Sequence, residues 1–444
     1  MNMKKIIILC VVLLATAAIA TSCRDDESEF STPGSQMIYD TPSEQFIAIW
    51  KSMNTSYVMW DIDPTDWDAV YNEYYPKFLA LDKRLEDDDD ATVSTAELKE
   101  LYEGVFSTLI DHHLGISVWN KWGGNDVPAF SIANLTKELS SRDYYHPRHL
   151  NTAVFTSSVA QPHLLEIYGM RTMEDHSVVQ HLRVLEAQGR ATQIKYGYCS
   201  YMTVISALID GNIPYLHFDQ FSFFNLINHY ILEECRDNSN NPYADAYRAY
   251  NNFYSNVIAL ENLGGVIIDV RENYGGYVRD QQDLLGLLID EPVLTGYQHY
   301  KMGFGKYDYS PWTPLNFYPN DTRHRTGYNK PVVILADLYS ISMAEITTMM
   351  AQQMPNGCVI GERTVGGQGT SSGDFEGQFS GSFGSESGPH YVTFSDHPTR
   401  TVDGKSLEGI GVTPDIPMKT MLSELTNGND TWIDRAVTYI HTGH

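Results

Sequence analysis

Residues 331–369 read PVVILADLYSISMAEITTMMAQQMPNGCVIGERTVGGQG, and the order of patterns in this stretch decides the fold. Pro331 to Ala336 is a short apolar run rich in β-branched side chains, the signature of a strand covered on both faces. Asp337, Leu338 and Tyr339 then make a turn. From Ser342 the apolar residues Met343, Ile346, Met350 and Met354 fall three or four apart, which predicts a helix ending before Pro355 and Gly357. Ser342 therefore stands where strand becomes helix. The first N–H groups of a helix are unpaired and partly positive, so they can hold a developing oxyanion beside a nucleophilic hydroxyl. A second reading fits the same letters: Ser342-Met343-Ala344-Glu345 is an S-x-x-E capping box, in which the serine only satisfies backbone donors.

Outward from this stretch, strands alternate with helices and predict the α/β class. Ile213 to Phe218 reads as a strand, Tyr243 to Leu260 as an amphipathic helix, and Gly265 to Val270 as a buried strand ending in a glycine-bearing loop. A helix is expected near Asp280 to Ile289, then a tyrosine-rich irregular region to Asn329. After Val365 the chain is Gly/Ser-rich as far as Gly388, and His390 to Phe394 reads as a strand. Strand, helix and strand in this order imply right-handed crossovers, with active groups at the strands' carboxyl ends.

Toward the N-terminus, Thr41 to Leu114 is helical in pattern. Phe46, Ile49, Trp50, Met53 and Tyr57 form one apolar stripe, and Trp67, Val70, Tyr71, Tyr74 and Phe78 another. Glu86 to Asp90 is an acidic run without the spacing of a calcium loop. A capping box at Ser94 to Glu97 opens a helix that delivers Asp111-His112-His113 at its end. Capping and core roles suit these histidines as well as catalysis does. A metal pair does not, because neighbours on a helix point about 100° apart and no H-E-x-x-H accompanies them. Residues 115–190 are mixed, with a short strand near Ile116 to Trp119 and a helix near Val178 to Gln188. The sequence holds no phosphate-binding loop and no internal repeat.

Four segments, in order, carry a family resemblance. Asp269-Val270-Arg271-Glu272-Asn273-Tyr274-Gly275-Gly276 is similar to D-L-R-x-N-G-G-G, and Ser340 to Ile346 to the nucleophile motif S-A-S-A-S-E-I. Gly361 to Gly366 is similar to G-E-x-T-x-G, and Glu408 to Asp415 to E-G-x-G-V-x-P-D. Together they resemble the C-terminal processing (tail-specific) serine peptidases, the family that includes tricorn protease. The resemblance implies a crotonase-like catalytic domain over residues 191–444, an N-terminal helical domain over 39–120 and a mixed insert over 121–190. No glycine-flanked carboxylate-binding loop marks a PDZ domain in the insert.

On this resemblance Ser342 is the nucleophile, and the oxyanion is held by the N–H of Met343 with that of Gly275 or Gly276. Bacterial relatives use a lysine base where this chain has Gly367, so a Ser-Lys dyad is not available. The tricorn-like branch uses a histidine helped by a serine and a glutamate. His113 matches that histidine, Glu408 that glutamate, and His112 falls where the serine stands. The implied activity is that of a serine endopeptidase acting on peptides or unfolded protein, with no cofactor and no metal. Gly367, His112 and Tyr274 (in place of the first glycine of G-G-G) motivate a second reading, an inactive relative that binds peptides. A third, a surface glycan-binding lipoprotein, is suggested by 29 Tyr and 7 Trp, whose faces could stack on sugars.

The whole chain bounds these readings. With 444 residues, 42% of them hydrophobic and 19% charged, it is long enough for more than one domain. Residues 1–22 read as a secretory leader, basic at Lys4 and Lys5 and apolar from Ile6 to Ala20. Ala20-Thr21-Ser22-Cys23 resembles a bacterial lipoprotein cleavage site that would leave Cys23 acylated; plain secretion is the alternative. Residues 23–38 read as a polar tether, whose acidic start resembles the surface-export signal of some Bacteroidetes lipoproteins. The expected location is the cell envelope, with an outer-membrane anchor and a periplasmic or surface-exposed body. Loss of Lys4 and Lys5 with the leader leaves 28 basic against 56 acidic side chains, net −28, which disfavours nucleic acid as a partner. Cys199, Cys235 and Cys358 then remain beside Cys23, allowing at most one bridge whose pairing the sequence does not choose.

Overall fold

The computed structural model describes residues 39–125, 129–133, 173–199, 202–236, 240–370, 379–385, 388–419 and 428–444. The leader, the tether and Cys23 lie outside these residues. Three helices open the described chain: α1 (Pro42–Ser56), α2 (Trp67–Asp87) and α3 (Thr95–Val105). Each starts on a side chain that accepts a backbone N–H: Thr41 from Glu44, Asp66 from Ala69 and Ser94 from Glu97. Strands β1 (Gly115–Trp119) and β2 (Ala129–Ala133) follow and pair antiparallel. Phe46, Trp67, Phe78, Tyr102 and Phe106 fill the core of this layer, which Val392 and Phe394 join from far along the chain.

Helix α4 (Ser177–Ala187) leads into β3 (Ala191–Cys199), β4 (Met202–Ile209) and β5 (Ile213–Phe218), then α5 (Phe223–Cys235), α6 (Ala244–Ala259) and β6 (Val266–Asp269). Next come β7 (Val293–Gln298), β8 (Thr313–Phe317), β9 (Val332–Ala336), α7 (Met343–Gln353) and β10 (Gly357–Gly361). The chain ends with β11 (Ser382–Gly384), β12 (His390–Thr393), β13 (Thr399–Thr401), β14 (Ile416–Pro417) and α8 (Thr431–Thr442). The main sheet runs β14-β10-β9-β6-β5-β4-β3; β14 to β5 are parallel, while β4 and β3 add antiparallel. A second sheet runs β11-β12-β1-β2 and a third β13-β7-β8.

The parallel strands read as unbroken apolar runs because helices cover both faces. Ile268 and Ile334 face one core, with Ile346 and Met350 of α7; Ile267 and Val333 face the other, with Leu182 of α4 and Ile433 of α8. Adjacent strands β6 and β9 release their loops at the same sheet edge, and both loops carry motif residues.

Three expectations differ from what is found. The helix expected to carry Asp111, His112 and His113 at its end stops at Val105, and the three residues follow in a separate turn. The helix near 280–289 forms instead as two short 3-10 turns, Val278–Gln281 and Leu285–Leu288. The carbonyls of Gly286 and Leu287 accept from Asn320 and Arg325 rather than from the next helical turn, and Asp280 is spent on the N–H groups of Phe223 and Phe224. The tyrosine-rich region is not irregular throughout: β7 and β8 form a hairpin within it, its alternation broken by a register shift between Leu294 and Gly296. The three described cysteines, Cys199, Cys235 and Cys358, are free thiols.

Arg271 ties the loop after β6 to the C-terminal helix. It donates to buried Asp269 and, through both terminal nitrogens, to Asp430, whose carboxylate also caps α8. Burial alone would raise the Asp269 carboxyl; the guanidinium outweighs it and holds the group well below the usual carboxylate range. Arg271→Ala leaves two buried carboxylates uncompensated and should cost about 3–5 kcal/mol, read as a lower urea midpoint.

Candidate active site

Ser342 is held in a conformation that an ordinary cap does not use. Its φ is +57° and ψ −119°, and its side chain makes no capping hydrogen bond to α7. A cap of the S-x-x-E kind needs extended backbone, so the capping-box reading fails at this position. Backbone strain of this sort costs about 1–3 kcal/mol and persists only where neighbours impose it. Here Ile341 N–H donates to the Asn273 carbonyl and Ser342 N–H to the Gly367 carbonyl, each at 2.9 Å.

The loop after β6 closes over the serine. Gly275 has φ +82°, and a Cβ placed on it would lie 2.6 Å from Ser342 Cβ and 2.9 Å from Met343 N. Its own N–H donates to Asn273 Oδ1 at 2.8 Å. Among the described residues, the N–H groups of Gly276 and Met343 make no hydrogen bond within the chain. Tyr274, the departure from G-G-G, packs with Leu338, Tyr339, Ile341 and Val365.

Glu345, the other half of the supposed box, reaches a different partner. Its carboxylate accepts the N–H groups of Gly366 and Gly367 and the Thr364 hydroxyl. Glu408 accepts the next two, from Gln368 at 3.0 Å and Gly369 at 2.8 Å, and the His112 N–H at 3.3 Å. Residues 366–369 thus form a strap strung between two buried glutamates. Burial pushes Glu345 up to about 7, against the pull of its donors. Glu408 is raised well above its ordinary value by burial and then by the charge of Asp111.

The turn at 111–113 lies on the far side of this strap. A Cβ at Gly367 would come within 3.2 Å of His112 Cβ and 3.3 Å of Ile341 Cγ2, so the space a lysine stem would need here is already bounded by His112. His113 N–H donates to Asp111 Oδ1 at 2.8 Å, and its Nδ1 lies 3.3 Å from Ser395 Oγ. Burial lowers the His113 imidazole from its ordinary value, with the charge of Asp111 opposing.

Asp111, His113 and Glu408 present polar atoms within 4.8 Å of one another, a grouping that could hold a metal ion. The carboxylate oxygens, however, already accept five N–H and one O–H donors: His113, Ser395 twice, His112, Gln368 and Gly369. The set is arranged for hydrogen bonding rather than ligation.

The sequence singles out neither Asp111 nor Ser395 for a role. A carboxylate two residues before His113 was the available signal for the first; nothing marks Ser395, 282 positions from His113.

Residues 212–418 match the sequence profile of Peptidase family S41. The match takes in Ser342, the strap and Glu408 but not the turn at 111–113. Two solved structures share the fold over most of the chain. A protein from Parabacteroides merdae ATCC 43184 assigned as a peptidase superposes with a TM-score of 0.58 at 19% identity, covering 91% of this chain and 98% of its own. Mature CPAF superposes with a TM-score of 0.52 at 12% identity, again covering 91% of this chain and 98% of its own. No curated protein sequence matches.

The raised Glu345 carboxyl makes stability depend on pH. Between its ordinary 4.5 and about 7 the unfolded chain has lost this proton while the folded chain keeps it, so stability falls as pH rises through that window. Glu345→Gln should remove this residue's share of the slope, up to ~1.4 kcal/mol per pH unit, and lose a further ~1–3 kcal/mol from the donor left unmatched. Urea denaturation at both ends of the window reads both effects.

Proposed function

Because residues 212–418 form a Peptidase family S41 domain, we propose that this chain is a serine endopeptidase with Ser342 as nucleophile and His113 as base. Its substrates are peptides or unfolded protein outside the cytoplasm. The observation that carries the reading is Ser342 itself: a strained serine heading a helix, beside two backbone N–H groups that make no hydrogen bond among the described residues.

The chemistry follows from that arrangement. His113 takes the hydroxyl proton as Ser342 Oγ attacks the scissile carbonyl, then returns it to the leaving amine. Met343 and Gly276 donate to the oxyanion; Gly275, whose N–H is spent on Asn273, supplies close approach instead. Water releases the acyl group in the second half-reaction. Glu408 orients the base indirectly, by fixing the strap and the His112 amide. Neither departure from the family pattern opposes this: Tyr274 packs beside the loop, and His112 bounds the position of the missing lysine.

Residues 191–444 make up the crotonase-like peptidase domain in this proposal, with the helical domain at 39–120 and an insert at 121–190 that is not a PDZ domain. Cleavage after residue 22 leaves acylated Cys23 to anchor the protein in the cell envelope, and nucleic acid is not a partner.

A fluorophosphonate serine probe tests the assignment on the mature protein. Labelling is expected in the wild type and lost in both Ser342→Ala and His113→Ala. Because burial lowers the His113 imidazole, the labelling rate should rise with pH through an apparent pKa below the ordinary histidine value and level off by neutrality. A folded wild type that does not label would point instead to the peptide-binding relative.

A further inference from the structure

We infer that Ser395 is a positioning residue, fixing the tautomer of His113 through a relay to Asp111. The inference rests on the assignment of His113 as base. Asp111 Oδ1 lies 3.9 Å from His113 Nδ1, too far for a direct hydrogen bond. Ser395 Oγ bridges the gap, 3.3 Å from His113 Nδ1 and 3.0 Å from Asp111 Oδ1.

The chemistry of the three groups fixes the proton directions. An ionised carboxylate only accepts, so the single hydroxyl proton of Ser395 goes to Asp111. Oγ is then left as an acceptor, and His113 Nδ1 must carry the proton donated to it. Nε2 is left with its lone pair, the form a general base requires. No proton moves along the relay: when Nε2 gains the Ser342 proton, the imidazolium charge is met by Asp111 through the same two bonds.

The surroundings are built to hold this serine. It is fully buried, and its own N–H donates to Asp111 Oδ2 at 2.9 Å, which sets its place independently of the side chain. A Cβ at position 369 would lie 2.2 Å from Ser395 Oγ, so only glycine leaves room. The strap therefore ends in Gly369 for the hydroxyl's sake as well as for Glu408. In the tricorn-like pattern a serine immediately before the histidine assists it; here His112 holds that place, and the hydroxyl arrives from the end of β12.

Nitrogen-15 labelling of histidine, with long-range proton–nitrogen spectra of the wild-type mature chain, tests this directly. The His113 signals are those missing in His113→Gln. The Nδ1–H tautomer is expected to dominate in the wild type and to give way to a mixture in Ser395→Ala, with the fluorophosphonate labelling rate falling about 10-fold, the loss of roughly one hydrogen bond. A wild-type His113 protonated on Nε2 overturns the relay without need of any variant, as does an unchanged tautomer and rate in folded Ser395→Ala. The two proposals separate cleanly: an Nδ1–H tautomer in a protein that does not label sinks the peptidase reading and leaves the relay standing, whereas labelling with an Nε2–H tautomer does the reverse.

Discussion

Everything at the site depends on where four consecutive backbone N–H groups, from Gly366 to Gly369, find acceptors. Buried peptide groups cannot be left unpaired without a penalty of about 1–3 kcal/mol each, and no neighbouring strand takes these four. Glu345 accepts the first two and Glu408 the second two. One glutamate belongs to α7, which Ser342 heads, and the other follows β13, so the strap fixes both relative to Ser342, whose N–H ends on the Gly367 carbonyl. Glycine is required by the crowding: a Cβ at 366 would lie 2.4 Å from Ile410 N. At Gly367 a Cβ would stand 3.2 Å from His112 Cβ, so His112 crowds the point at which a lysine would leave the strap.

That other layer is assembled from both ends of the chain. β1, just after His113, pairs with β12, just before Ser395, with Gly115 opposite Thr393. The pairing puts the two residues side by side at one end of the sheet, although 282 positions separate them. Residues 191–444 alone hold Ser342, Gly276, Met343 and the strap, but not His113.

Elements with local signals were legible in the sequence. The strand and helix around Ser342, the buried strands at 213–218 and 266–269 and the cap of α3 follow from periodicity and side-chain chemistry within a few residues. What escaped was decided at a distance. Glu345 satisfies a capping pattern on paper, yet the strap claims its carboxylate and turns Ser342 to a positive φ. The region 280–289 has helical letters, but carbonyl acceptors needed by Asn320 and Arg325 break it into 3-10 turns. β7 hides its alternation behind a register shift, and Ser395 lies in no motif because its partners come from the other end of the chain.

The β1–β12 pairing also sets a timetable. Contacts closing loops of this length form late, because their entropy must be met before the strands reward it. The helix that Ser342 heads and the sheet behind it can condense from neighbouring segments while the turn at 111–113 is still untethered. An unfinished or unravelled molecule would then keep Ser342 in its place between strand and helix while His113 and Ser395 are still apart.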